Sequence, residues 1–227
     1  MKLPLILVNF KTYLEALGKN SVKLAKICES VAQKYKVNIV IAPEFLDLSK
    51  VVTEVKLPIF AQHIDPIEKN GMHTGHIVAE NLKNIGIVGT LISHSERRLE
   101  LPVIEKCVEI AKKFGLISVC CSENPEKSEK IAKFSPDFIV IEPPELIGTG
   151  ISVSTAKPEI ITETIRKIHK VNPKVKVLCG AGITTGEDVK KALELGTAGI
   201  LVASGVVKAK NPEKVLSEFA KVIKQIS

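Results

Sequence analysis

Residues 174–205, KVKVLCGAGITTGEDVKKALELGTAGILVASG, hold a strand, a glycine turn, a capped helix and a second strand in one short span. The runs KVKVLC and GILVAS are too brief and too β-branched for helices, and such apolar runs suit strands covered by helices on both faces. Thr185 with Asp188 three residues on resembles a capping box, and Gly196 suits a helix C-cap. One βαβ unit with a right-handed crossover is therefore expected. Two folds are built from such units. A doubly wound dinucleotide fold would carry G-x-G-x-x-G in the turn, but Gly180, Gly182 and Gly186 put the third glycine one place late. In addition, no acid closes GILVAS to hold a ribose hydroxyl. The alternative is a closed barrel, which requires the pattern to repeat.

It repeats along the whole chain, in LPLILVNF, VNIVIAP, PIFAQ, GTLISH, LISVCC, FIVIEP, KVKVLCG and GILVAS. Between these runs lie stripes of helical period: Leu24, Ile27, Cys28 and Val31; Ile104, Cys107, Val108 and Ala111; Ile161, Ile165 and Ile168; Val215, Phe219 and Val222. Asn211 and Pro212 suit an N-cap and the first helical position. Eight units fit an α/β fold of (β/α)8 barrel type with parallel strands, whose usual size is about 250 residues. No Ser/Gly/Pro-rich linker divides the sequence, so residues 1–227 are expected to form a single domain.

Composition narrows the partners. The formal charge is +7, but the lysines are scattered and there is no Trp and only two Tyr for base stacking, so no nucleic-acid partner is expected. The longest uncharged run, residues 195–207, is short of the roughly 18 residues of a membrane span, so no membrane partner is expected. The start, MKLPLILVNFK, reads as a buried strand because no small-residue cleavage pattern follows and Lys11 interrupts it early. Five irregularly spaced cysteines suit reduced thiols in a cytoplasmic protein. Cys120 and Cys121 are adjacent in a strand and should point to opposite faces.

In a barrel the carboxyl ends of all strands meet on one face, so polar residues there share a site. Asn9 and Lys11 end the first strand, His94 the fourth and Glu142 the sixth, while Gly180, Ala181 and Gly182 follow the seventh and Ala203, Ser204 and Gly205 the eighth. Backbone N–H groups at such glycine-rich turns, with a short helix after the eighth strand, suit a phosphate. His63, Asp65, His73 and His76 lie close in sequence, but His73-x-x-His76 lacks a convincing third and fourth ligand, and no metal site is expected.

Taken in order, VNFKTY, AQH, GMHTG, ISHSERR, IEPPELIGTG, VLCGAGIT and GILVASGVV resemble the triosephosphate isomerase family, and the length is similar to its compact archaeal branch. The resemblance implies a TIM barrel that interconverts dihydroxyacetone phosphate and D-glyceraldehyde 3-phosphate through an enediolate, in glycolysis and gluconeogenesis, without cofactor or metal. It implies Glu142 as base, His94 as neutral electrophile on a first helical turn at residues 95–97, and Lys11 and Asn9 as charge and hydrogen-bond donors. Glu96 would orient Lys11 or assist proton relay. Substrate binding would involve Asn9, Phe10, Lys11, Ile147, Gly148, Gly182, Ala203 and Ser204, with Ile147 and Gly148 on a lid joined to Glu142 through Pro143-Pro144. Where many members have Tyr-Gly-Gly-Ser after the seventh strand, this chain has Cys179-Gly180-Ala181-Gly182, so a serine contact to phosphate or lid is missing. GMHTGHI resembles the loop that enters a neighbouring subunit, with Thr74 at its tip, which implies a homo-oligomer, a dimer at minimum and a tetramer by the archaeal likeness. Other sugar-phosphate barrels, such as a pentose-phosphate epimerase, and a noncatalytic phosphate-binding barrel are the alternatives.

Overall fold

A computed structural model describes residues 2–226. Eight parallel strands form one sheet: β1 (Leu5–Asn9), β2 (Asn38–Ala42), β3 (Phe60–Ala61), β4 (Gly89–Ile92), β5 (Ile117–Ser122), β6 (Phe138–Ile141), β7 (Lys176–Cys179) and β8 (Gly199–Val202). The order is β2-β1-β8-β7-β6-β5-β4-β3, and a parallel bridge from Ile41 to Ile59 joins the two ends into a ring. The helices are α1 (Lys19–Tyr35), α2 (Leu48–Glu54), α3 (Ala79–Asn84), α4 (Leu101–Lys113), α5 (Pro125–Ala132), α6 (Val153–Ala156), α7 (Pro158–Val171), α8 (Gly186–Glu194), α9 (Ser204–Val207) and α10 (Pro212–Ile226). This is the (β/α)8 barrel that the repeating pattern anticipates.

β3 is shorter than PIFAQ suggests. Pro58 has no N–H to give a ladder, and only its carbonyl takes part, accepting from Ile41 N at 3.2 Å. The helix signals fare better. Thr185 and Asp188 form a reciprocal capping box, and Asn211 Oδ1 accepts from Lys214 N at 3.0 Å ahead of α10. The stripe on α10 is rotated from expectation: Leu216, Phe219, Ala220 and Ile223 are buried, while Val215 and Val222 flank them.

Strand alternation divides the apolar residues into two layers. Leu5, Leu7, Val40, Phe60, Leu91, Val119, Val140, Leu178 and Leu201 fill the barrel, whereas Ile6, Val8, Ile39, Ile41, Ile92, Ile139 and Ile200 face the helices. Cys121 belongs to the inner layer and Cys120 to the outer, as adjacent strand residues should. All five cysteines are free and buried.

Candidate active site

The same alternation selects what reaches the barrel mouth. Leu5 and Leu7 point inward, so Asn9 does as well; Phe138 and Val140 lead to Glu142, Phe60 to Gln62 and Leu178 to Gly180. β4 follows a different rule. Leu91 is inward and Ile92 outward, so His94 would turn away from the mouth if the strand simply continued. Ser93 instead adopts φ +59°, resetting the alternation and admitting His94. Lys11 is likewise left-handed, at φ +48°. Neighbours hold both residues in place. Asn9 Oδ1 accepts the Lys11 N–H at 2.9 Å, Gln62 Nε2 donates to Lys11 O and Ala42 O at 3.0 Å each, and Leu99 N donates to Ser93 Oγ at 3.1 Å. Sparsely populated backbone of this kind costs of order 1–3 kcal/mol per residue and persists where the surroundings impose it.

Glu142 is 2% exposed. Its N–H donates to Ser122 O at 2.8 Å, and its Oε1 stands 3.6 Å from His94 Nε2. Oε2 is buried with no hydrogen-bond partner among the described residues. A carboxylate oxygen left this way is costly for stability and leaves an acceptor for a ligand's proton. Gly180 makes the room, since a Cβ there would strike Val140 Cγ1 and come within 2.7 Å of Glu142 Cγ. Gly180→Ala should therefore displace the carboxylate, destabilise the fold by about 1–3 kcal/mol and lower kcat by at least about tenfold. Thermal melts and steady-state rates check this, and an unchanged kcat would show that the carboxylate does not need that space.

His94 Nδ1 accepts from the Glu96 N–H at 3.3 Å, with Ser95 Oγ at 3.4 Å. An acceptor Nδ1 places the proton on Nε2, which faces the cleft. Residues 95–97 are a hydrogen-bonded turn, with Arg97 N donating to His94 O at 2.8 Å, and α4 begins only at Leu101. The expected first helical turn is thus corrected. Non-helical backbone supplies the amide, because residues 98–100 precede the helix and Ser93 Oγ takes the Leu99 N–H.

Burial lowers the His94 pKa below its ordinary 6.5, Lys11 lowers it further, and Glu142 partly opposes the shift. The imidazole should therefore be more than half neutral at pH 6.5 in an NMR titration of its ring nitrogens; half-protonation at or above 6.5 would contradict the geometry. Linkage has a definite sign. With its folded value lowered, His94 binds fewer protons than in the unfolded chain as pH falls below about 6.5, so its contribution reduces stability on acidification.

Lys11 Nζ bonds Glu96 Oε1, and this partner holds the Glu96 carboxyl below the usual range. Lys11, His94 and Glu142 share one cleft with Ile147, Gly148, Gly182, Ala203 and Ser204. Asn9 and Glu96 line an adjoining cleft with Lys11, His94 and Gln62. Ser204 opens α9, whose first amides have no partner within the helix. Phe10 is a correction. By parity it faces outward and is fully buried in the outer layer, so its side chain cannot contact a ligand in the cleft. Gln62 went unassigned in the sequence, although its inward parity after Phe60 was a usable signal. His63, Asp65 and His76 do meet, at 3.1 and 3.4 Å, but Asp65 also takes Arg97 at 3.4 Å and the Ile77 N–H at 2.7 Å. The cluster is a polar brace beneath residues 66–76.

Comparison with known proteins places these features in context. Residues 4–226 match the family model described as triosephosphate isomerase. The triosephosphate isomerase of Methanothermus fervidus is 51% identical over 96% of this chain and 98% of that protein. The enzyme of the same name from Methanocaldococcus jannaschii is 51% identical over 96% of this chain and its whole length, and that from Methanosarcina barkeri 47% over 98% and its whole length. A crystal structure of triosephosphate isomerase from Bartonella henselae superposes with a TM-score of 0.73, covering 96% of this chain and 97% of that one at 20% identity, a likeness of fold.

Proposed function

This chain belongs to the triosephosphate isomerase family and interconverts dihydroxyacetone phosphate and D-glyceraldehyde 3-phosphate, and we propose that Glu142 is the base that carries the proton between the two carbons. The observation that carries this reading is the buried Glu142 carboxylate, one oxygen of which has no hydrogen-bond partner among the described residues, facing the same cleft as His94 and Lys11. One carboxylate oxygen takes a proton from the carbon beside the carbonyl, and the carboxyl returns it to the neighbouring carbon. His94 Nε2–H polarises the carbonyl and moves a proton between the two enediolate oxygens. A neutral imidazole in this role is a behaviour for which triosephosphate isomerases are the standing example. Lys11 and Asn9 stabilise the developing oxyanion, and Glu96 orients Lys11. Backbone amides of Gly148, Gly182 and Ser204 grip the phosphate. Proton transfers alone balance the reaction, so it needs no redox cofactor, and His94 and Lys11 are placed to polarise the carbonyl.

Residues 1–227 would act as a single catalytic domain in glycolysis and gluconeogenesis, in the cytoplasm, with no nucleic-acid or membrane partner. The family is generally oligomeric. We infer at least a dimer, and a tetramer as the working assembly, from large apolar side chains on loops that leave the same end of the barrel: Met72 is 103% exposed, Leu46 92% and Leu14 79%. Two measurements test the reading. The protein should exchange solvent deuterium into dihydroxyacetone phosphate, and its absence would reject the isomerase mechanism. Sedimentation should give two or four times the chain mass of 24.7 kDa, and a monomer would reject the assembly.

A further inference from the structure

The loop after β7 and the downstream root of the lid are tied together at one residue of α8. Asp188 Oδ2 accepts the backbone N–H groups of Thr184 and Thr185 at 3.0 and 2.9 Å, which fixes the end of the loop that carries Gly182. The same residue reaches the lid. Its Oδ1 accepts from Thr155 Oγ1 at 3.3 Å, and its main-chain oxygen accepts from Ser154 Oγ at 3.0 Å. Ser154 is fully buried, and its Oγ also lies 2.7 Å from Ser152 Oγ. Val153 N donates to Ala181 O at 3.2 Å, and a Cβ on Gly182 would strike Ile151 O and come within 2.7 Å of Ser152 N. Capping α8 requires only the Thr185 and Asp188 reciprocal bonds. The Ser154 and Thr155 bonds lie outside that box and fasten the downstream root of the lid to α8, the helix whose Asp188 also holds the Gly182 loop through Thr184 and Thr185.

We propose that Ser154, Thr155 and Asp188 are positioning residues that lock the downstream end of the lid in register with the Gly182 loop, so that both grip the phosphate together on closure. The proposal rests on the isomerase reading. In this chain the latch is a serine-threonine pair at the root of the lid, acting from the side opposite the loop where a serine is missing. Its chemical purpose is to protect the enediolate. When that intermediate meets water with its phosphate loosely held, one enediolate oxygen collapses to a carbonyl and the double bond moves toward the phosphate-bearing carbon. That carbon's C–O bond then breaks and phosphate leaves with the bonding pair; the remaining enol tautomerises to methylglyoxal. A latch that seats the lid correctly keeps this branch minor.

The test uses Ser154→Ala, Thr155→Val and the double variant, which leave the Thr185 and Asp188 capping box intact. Isomerisation is followed by coupled assay, and phosphate release and methylglyoxal by phosphorus and proton NMR. The expected result is kcat reduced about tenfold in the double variant, with phosphate released per isomerisation raised by at least about tenfold. Thr155 is exposed, so the Thr155→Val single variant folds in any case and should shift the same ratio in the same direction. An unchanged partition ratio overturns the proposal, whether or not kcat falls, because a merely structural loss lowers both branches together. A parent protein that neither isomerises nor exchanges deuterium overturns the isomerase reading itself, and with it the latch. A normal parent with unaltered variants overturns the latch alone.

Discussion

Glu142→Gln should lower kcat by about 10²–10⁴-fold while leaving KM within a fewfold. The amide has the shape of the carboxylate, so the site keeps its packing: the backbone bond to Ser122 O remains, and Gly180 still leaves room beside the side chain. What disappears is the ability to accept a carbon-bound proton. The loss should appear equally in isomerisation and in deuterium exchange, because both require that removal. Stability should move the other way. In the parent, Oε2 is buried without a hydrogen-bond partner among the described residues, so exchanging the carboxylate for an amide gives up no hydrogen bond there and the melting temperature should hold or rise. An active Glu142→Gln protein would reject Glu142 as the base, and an inactive one with a much lower melting temperature would show the acid to be structural.

Lys11→Met should reduce kcat/KM by about 10²–10³-fold, the scale of losing one preorganised charge at a developing oxyanion. Met keeps the length of the stem, and the left-handed backbone of residue 11 is held from outside by Asn9 and Gln62, so the fold should survive. Glu96, released from Lys11, should regain an ordinary carboxyl pKa, which carbon NMR of its side chain can follow. Glu96→Gln is the comparison. If Glu96 only orients the lysine, its loss should cost markedly less than Lys11→Met. Activity within tenfold of the parent in Lys11→Met would remove the lysine from the mechanism.

The barrel was legible because its signals are local. Strand alternation, a capping box and apolar runs need only neighbours in sequence, and they suffice to place Asn9 and Glu142 at the mouth. Less legible were features set by distant contacts. Nothing within Ile92-Ser93-His94 announces that Ser93 will turn left-handed, since Leu99 stabilises it; nothing beside Lys11 announces that Gln62, far along the chain, will brace its carbonyl. The resemblance carries Phe10 with Asn9 and Lys11 in one motif, although strand parity points its ring away from them. Pro58 should have warned that the third strand would be brief, because a residue without an N–H interrupts any ladder.

The ring's closure has a mechanical consequence. Its two ends meet at β2 and β3, where the bridge from Ile41 to Ile59 stands against five register pairs between β1 and β2. Amide hydrogen exchange should find this seam opening at lower free energy than β1, as stability is rarely uniform across a structure. Leu46 and Met72 sit on the loops that leave these two strands. A neighbouring copy covering those loops would splint the barrel at this short join, so dilution to monomers should loosen the seam and soften the platform on which Lys11 rests.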